Sequence, residues 1–337
     1  MNAALRTACV FALIAVAGTS SLAVAQSIRI NIGTVAPEGS PWHDVLSKMK
    51  QDWEKASAGK VTLRIYAGAN QGDETEKLRK ARQGSVLQAV ALSGAALGLV
   101  DTSVSSMQIP MLIDSYAELD YIRKQMEPKL EKAIEAKGFV VLNWSDVGWV
   151  HFFAKKEART PDDIRALKLF TTAGDPDTEQ LYKDLRFRPV PAGADELVTH
   201  LQTGFLEAFD VPPLFALLNQ SFGIAKYMID MKWSPLIAAT IINRAAWEKI
   251  PESLRPELMR IARKAGDEER AKIRRLGDEA VVEMSKRGLQ VVRLTAAETA
   301  KWRAEVEAAY PRLKGKLIPA DFFDEVLRLS KEFRAAK

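Results

Sequence analysis

Strand-like and helix-like segments alternate along this chain from residue 28 onward, and that alternation restricts the possible folds more than any other feature. Ile28-Arg29-Ile30-Asn31-Ile32 has the period-two pattern of a half-buried strand. The segment APEGSPWHDVLSKMKQDWEKASAGK then carries helix punctuation, with Ser40 as N-cap, Pro41 in the first turn and Gly59 past the end. Val45, Leu46, Met49 and Trp53 give that helix one apolar face. Residues 61–66 read as a strand, 73–83 as a helix and 86–91 as a strand again. This order predicts an α/β lobe with a largely parallel sheet.

A chain of 337 residues exceeds what one compact core usually holds, so a second lobe is expected. It begins near Trp149-Val150-His151-Phe152-Phe153 and continues through Leu167-Lys168-Leu169-Phe170, a helix around 175–185, a strand at 188–190 and a helix around 193–203. The stretch THLQTGFLEAFDVPP, residues 199–213, ends that helix, turns at Gly204 and runs as a strand to Pro212-Pro213. An apolar strand near 235–242 returns to the first lobe. A helix over 252–287 follows, on the order of 50 Å long at 1.5 Å per residue. Its apolar stripe of Leu254, Leu258, Ile261, Ala265, Ile273, Leu276, Ala280 and Met284 is interrupted at Glu269. The expected layout is a signal peptide at 1–25, lobe I at 26–148 and 236–255, lobe II at 149–235 and 288–337, and the helix 252–287 across both.

The N-terminus reads as an export signal. Arg6 precedes the apolar run 8–17, and Ala23-Val24-Ala25 offers a small-residue cleavage site before Gln26. The run is too short to span a membrane, which takes about 20 apolar residues. The single cysteine, Cys9, lies within the signal, so the mature chain is expected to fold without disulfides, as suits a bacterial periplasm. The net charge of +5 is spread along the chain with no basic, aromatic-interleaved block, so no nucleic-acid partner is expected.

Catalytic patterns are missing from the sequence. His43, His151 and His200 stand apart, without metal-ligand spacing, and read as structural or surface residues. No G-x-S-x-G elbow, dinucleotide fingerprint or Walker lysine occurs. Asp73, Glu74 and Glu76 open a predicted helix, where negative charge suits the macrodipole. No catalytic residue, metal or cofactor is therefore assigned, and an enzyme assembled from distant residues is the third-ranked reading. An exported, two-lobed α/β chain crossed by connecting elements has the outline of a solute-binding protein that closes by hinge motion. Its ligand site is expected outside the carboxyl ends of the strands.

Four stretches carry a more specific likeness: GTVAPEGSPWH, YAGANQGDETEKLRKARQGSVLQ, RTPDDIRALKLFTTAGDP and LVTHLQTGFLEAFDVPP. In order and spacing the chain resembles the solute receptors of tripartite ATP-independent periplasmic (TRAP) transporters. The resemblance implies a two-lobe periplasmic binding protein fold of class α/β with a long hinge-spanning helix. It also implies a small-molecule ligand in the cleft and delivery to TRAP membrane permease subunits. The amphipathic long helix and helical C-terminus permit a homodimer.

The family pattern places an arginine, which pairs with a ligand carboxylate, where this chain has Phe170. Two polar positions after the Q-T-G turn are here Phe209 and Val211, and Lys232-Trp233 stands where members often show His-Tyr. These replacements imply an apolar or amphipathic ligand, such as a lipid, sterol, fatty acid or aromatic compound. Asp210 and Thr172 would orient a hydroxyl or amine on it. Trp42, Trp149 and Trp233 are the expected aromatic contacts, and Gln71 is the expected polar contact from lobe I. Two alternatives remain: an organic acid held by Lys168, Arg64 or Lys232, and a free-standing carrier or sensor input.

Overall fold

A computed structural model describes residues 27–336; the export signal expected at residues 1–25 lies outside them. The first strands are β1 (Ile28–Thr34), β2 (Val61–Tyr66), β3 (Ala89–Ser93) and β4 (Phe139–Trp149). Then come β5 (His151–Ala154), β6 (Lys168–Thr172), β7 (Arg188–Ala192), β8 (Ala208–Val211) and β9 (Tyr227–Ile229), with β10 (Pro235–Asn243) and β11 (Gln290–Val292) last. They form two sheets, ordered β2-β1-β3-β10-β4 and β11-β9-β5-β8-β6-β7. β1 runs parallel to β2 and β3, and β10 lies antiparallel between β3 and β4. In the second sheet β6 is parallel to β7 and β8, while β5 is antiparallel to β8 and β9. The fold is therefore mixed α/β with two sheets.

Local chemistry explains the elements that frame the cleft. Ser40 Oγ accepts from the His43 N–H at 3.4 Å and Pro41 occupies the first turn of the helix Pro41–Ala56. Leu46, Met49 and Trp53 of that helix are buried against Ile30, Ile32, Val61 and Leu63. The helix Glu74–Gln83 is capped by Asp73, which accepts from the Glu76 N–H at 2.8 Å, and ends at Gly84 with φ 69°.

Three connections join the sheets. The chain passes from β4 to β5 through Val150 and returns to β10 through residues 230–234. These two crossings bond to each other: the Val150 N–H donates to the Ser234 carbonyl and the Trp233 N–H to the Val150 carbonyl, each at 2.9 Å. The third connection is the helix Arg255–Lys286, which contacts the helix Pro41–Ala56, then β4, then the short helix Pro213–Leu218. Gly266 lets it approach β4, because a Cβ there would collide with the Trp144 carbonyl oxygen and sit 2.8 Å from Asn143 Cβ.

The C-terminal segment departs from the expected layout, which gave all of 288–337 to lobe II. β11 does join the second sheet. The terminal helix Ala320–Ala335, however, lies on the helix Tyr116–Ala136, which packs against β4 of the first sheet. Its buried Phe323, Val326 and Leu329 share a core with Leu119, Ile122, Met126 and Leu130. Ser330 Oγ donates to Glu118 Oε1 at 2.7 Å in the same contact. The amphipathic stripe goes to the helix that offers a matching apolar face, and that helix belongs to the other sheet. Among the described residues no helix is long and apolar enough to cross a membrane.

Candidate ligand-binding cleft

The carboxyl ends of parallel strands from both sheets converge on one space. Thr34 ends β1, Ser93 ends β3, Thr172 ends β6 and Val211 ends β8, and all four line a cavity of about 220 Å³. An adjoining cavity of about 180 Å³ shares Ser93, Phe170, Thr172, Asp210 and Leu236 with it. The first volume equals the liquid share of roughly seven waters. That space suits a compact solute.

Apolar groups form most of the larger wall: Trp42, Leu92, Phe170, Val211, Phe215 and Leu236. Trp42 is fixed there by its indole N–H, which donates to the Asp146 carbonyl at 3.3 Å. Phe170, only 4% exposed, faces both cavities from the middle of β6. Among the described residues, no lysine, arginine or histidine lines either cavity.

The charged groups that do line them are all carboxylates: Glu74, Asp175, Asp177, Asp210 and Glu269. Glu74 accepts from the Ser93 N–H at 2.6 Å and from Ser93 Oγ at 2.7 Å. Burial raises its carboxyl, while these bonds and Lys77 pull it back. The Lys77 ammonium itself donates to the Gly68 carbonyl at 2.9 Å and to that of Gly72. Asp175 caps the helix Pro176–Asp184, accepting from the Thr178 N–H at 3.0 Å. Asp210 receives the Tyr182 hydroxyl, and burial pushes its carboxyl up to about 8. Glu269 is pushed up to about 8 by burial and by the Asp146 charge, against a hydrogen bond from Ser145.

The sequence candidates separate in space. Trp42, Phe170, Thr172, Asp210 and Val211 line the larger cavity, and Trp233 lines the adjoining one with Phe170, Thr172 and Asp210. Phe209 lines neither; it is fully buried and stacks on Phe153 within the second lobe. Trp149 lies on a separate groove along the long helix, against Tyr116 and beneath the Lys232 ammonium at 5.1 Å. Gln71 adopts φ 76° in a turn and accepts from Lys80 Nζ through its carbonyl and side chain at 3.0 and 3.1 Å. It lines neither cavity.

The cations considered for an acid lie elsewhere. Lys168 Nζ reaches the Gly204 carbonyl at 3.4 Å, and Arg64 stacks over Tyr66 at 4.9 Å. Lys232 donates to the Asp114 carbonyl at 3.2 Å. Sequence reasoning did not assign Glu74, Glu269 or Tyr182 to the site. The available signal was the break that Glu269 makes in an apolar stripe. Among the described residues, no group of three or more histidine, aspartate, glutamate or cysteine side chains could hold a metal ion.

Comparison with known proteins gives a consistent likeness. Residues 32–316 match the model of the bacterial extracellular solute-binding protein family 7. The C4-dicarboxylate-binding periplasmic protein DctP of Rhodobacter capsulatus is 25% identical over 285 residues, covering 83% of this chain and 84% of that protein. The 2,3-diketo-L-gulonate-binding periplasmic protein YiaO of Escherichia coli is 23% identical over 281 residues, covering 81% and 83%. A solved TRAP periplasmic solute-binding protein from Ralstonia eutropha H16, with bound (S)-2-acetolactate, superposes with a TM-score of 0.84 at 20% identity. That match covers 91% of this chain and 99% of the other.

Proposed function

The chain belongs to the bacterial extracellular solute-binding proteins of family 7, and from that premise we propose that it is the periplasmic receptor of a TRAP-type transporter. It captures a small molecule in the cleft where the strand ends of the two sheets meet, and it hands that molecule to membrane permease subunits. Closure must add contacts that the open form lacks, since only differential affinity shifts such a balance. The export signal read at residues 1–25 supports the periplasmic location.

The ligand carries a substantial apolar portion. One observation supports this reading above the others: Phe170 stands where the family pattern has a carboxylate-binding arginine, and no cation among the described residues lines either cavity. Burying a ligand carboxylate there without an ionic partner would cost several kcal/mol. The names of the relatives favour the second reading, an organic acid, because their stated ligands are a C4-dicarboxylate, 2,3-diketo-L-gulonate and 2-acetolactate.

Mass spectrometry of an organic extract from gently purified protein separates the two, with a denatured and refolded sample as control. The expected result is a stoichiometric compound with an apolar body. A stoichiometric small carboxylate would instead establish the acid reading. Whether a permease gene lies beside this one distinguishes the transport receptor from a free-standing carrier or sensor input.

A further inference from the structure

We infer that the cleft selects a solute carrying a protonated amine on an apolar body. The inference rests on the reading above, that this cleft is the receptor's ligand site, and assigns the chemistry of the head group. Four framing elements contribute acids: Glu74 from the helix after β2, Asp210 from β8, Glu269 from the long helix and Asp175 with Asp177 from the start of the helix Pro176–Asp184. Glu74 and Asp175 are committed to Ser93 and to a helix cap, respectively. Asp210 and Glu269 are held by hydroxyl donors, Tyr182 and Ser145. Arg270 and Lys272 act on Glu269 from outside the cavity and are engaged there with Asp267 and Asp44.

A second observation is independent of the acids. Thr171 belongs to the lining of the adjoining cavity and is 2% exposed, and its buried Oγ1 has no hydrogen-bond partner among the described residues. A buried hydroxyl left unpaired costs free energy until a ligand satisfies it. An ammonium carries three N–H donors and no acceptor, which complements a lining rich in acceptors. Trp42 and Phe170 line the larger cavity, and aromatic faces attract cations while repelling carboxylates. A carboxylate ligand would meet no cation among the described residues that line either cavity, and its burial without an ionic partner is costly.

Matched probes with one body and three head groups test this: 3-phenylpropylamine, 3-phenylpropan-1-ol and 3-phenylpropanoate, with hexylamine, hexan-1-ol and hexanoate as an aliphatic set. Binding is read by calorimetry and thermal shift on the mature chain. The expected result is amine binding at least ten-fold tighter than the alcohol, with no shift from the carboxylate. Alcohols that match the amines would overturn the amine assignment and leave the apolar-ligand reading standing. Carboxylates that bind best would overturn both, and a panel in which no amine binds overturns the inference. Glu269→Gln and Asp210→Asn should each weaken amine binding at least ten-fold and lower alcohol binding by a clearly smaller factor. Circular dichroism melts confirm that the variants are folded. Equal losses for amine and alcohol would mean that the two acids only shape the cavity.

Discussion

Phe153 and Phe209 stack with ring centroids 4.9 Å apart and planes inclined by 7°, facing each other across the antiparallel pair β5–β8. Phe209 and Val211 share a face of β8, yet only Val211 reaches the cavity. Two residues of strand separate them, roughly 6.6 Å. At the end of the strand the side chain meets the cleft; one pair further back it meets the lobe core. Phe209→Ala should therefore destabilise the protein by about 3–5 kcal/mol, while ligand affinity of the folded fraction changes little. Val211→Ala should cost less stability and alter ligand affinity. Urea denaturation and calorimetry on both variants check the split; equal effects on affinity would contradict it.

Phe170→Arg probes the position from which the ligand class was read. The guanidinium would enter both cavities beside Asp210. Pairing with that acid leaves donors for a ligand carboxylate, because the planar fork carries five. The expected outcome is new binding of 3-phenylpropanoate and at least ten-fold weaker binding of 3-phenylpropylamine. A variant that melts earlier and binds neither would show that Phe170 serves packing alone.

Burial gives Asp210 and Glu269 a pH signature. Both are pushed up to about 8, whereas unfolded carboxyls titrate near 4. The folded chain holds protons that the unfolded chain releases, so their contribution is full below about pH 4 and is lost as pH rises to about 8. Tyr182 and Asp175 face Asp210; Asp146, Ser145, Arg270 and Lys272 act on Glu269. Unfolding free energy of the empty receptor should fall by on the order of several kcal/mol between pH 5 and 8.5. Asp210→Asn combined with Glu269→Gln should remove most of that slope. Amine affinity should rise over the same window, because the acids must ionise to pair. Urea titrations and calorimetry at stepped pH read both trends, and an unchanged slope in the double variant would refute the assignment.

Much of the scaffold was legible in the sequence because its signals are local. Ser40, Pro41 and Asp73 mark helix starts through their own backbone bonds, and the apolar period of the long helix needs no tertiary partner to be seen. The helix predicted at 252–287 runs from Arg255 to Lys286. The site was less legible, since strand periodicity gives a face and not a depth. Phe209 and Val211 look alike to a period-two pattern although one is core and the other lines the cavity. Glu74 read as a first-turn carboxylate, but it turns inward to Ser93, nineteen positions away. Gln71 follows β2 and was expected at the cleft; its left-handed turn sends it to Lys80. The terminal helix shows the same limit, because amphipathicity states that a partner exists without naming it.

The long helix is braced where it crosses β4, and that brace makes a separable prediction. Asp146, 1% exposed on β4, accepts from Arg274 Nε at 2.7 Å and from Arg123. Arg274 also forks onto Asp120 at 2.6 and 2.7 Å, and its guanidinium lies 4.3 Å from the Tyr116 ring centroid. The Asp146 carbonyl meanwhile holds the Trp42 indole at the cavity wall. Arg274→Met keeps the stem packing but leaves a buried carboxylate with Arg123 alone, so it should cost about 1–3 kcal/mol. Asp120→Asn removes only the more exposed arm and should cost about 1 kcal/mol or less. If the brace sets the hinge as well as stability, Arg274→Met will also shift the radius of gyration of the empty receptor in small-angle scattering, whereas Asp120→Asn will not. Matched scattering curves for both variants, with the stability difference intact, would confine the brace to folding.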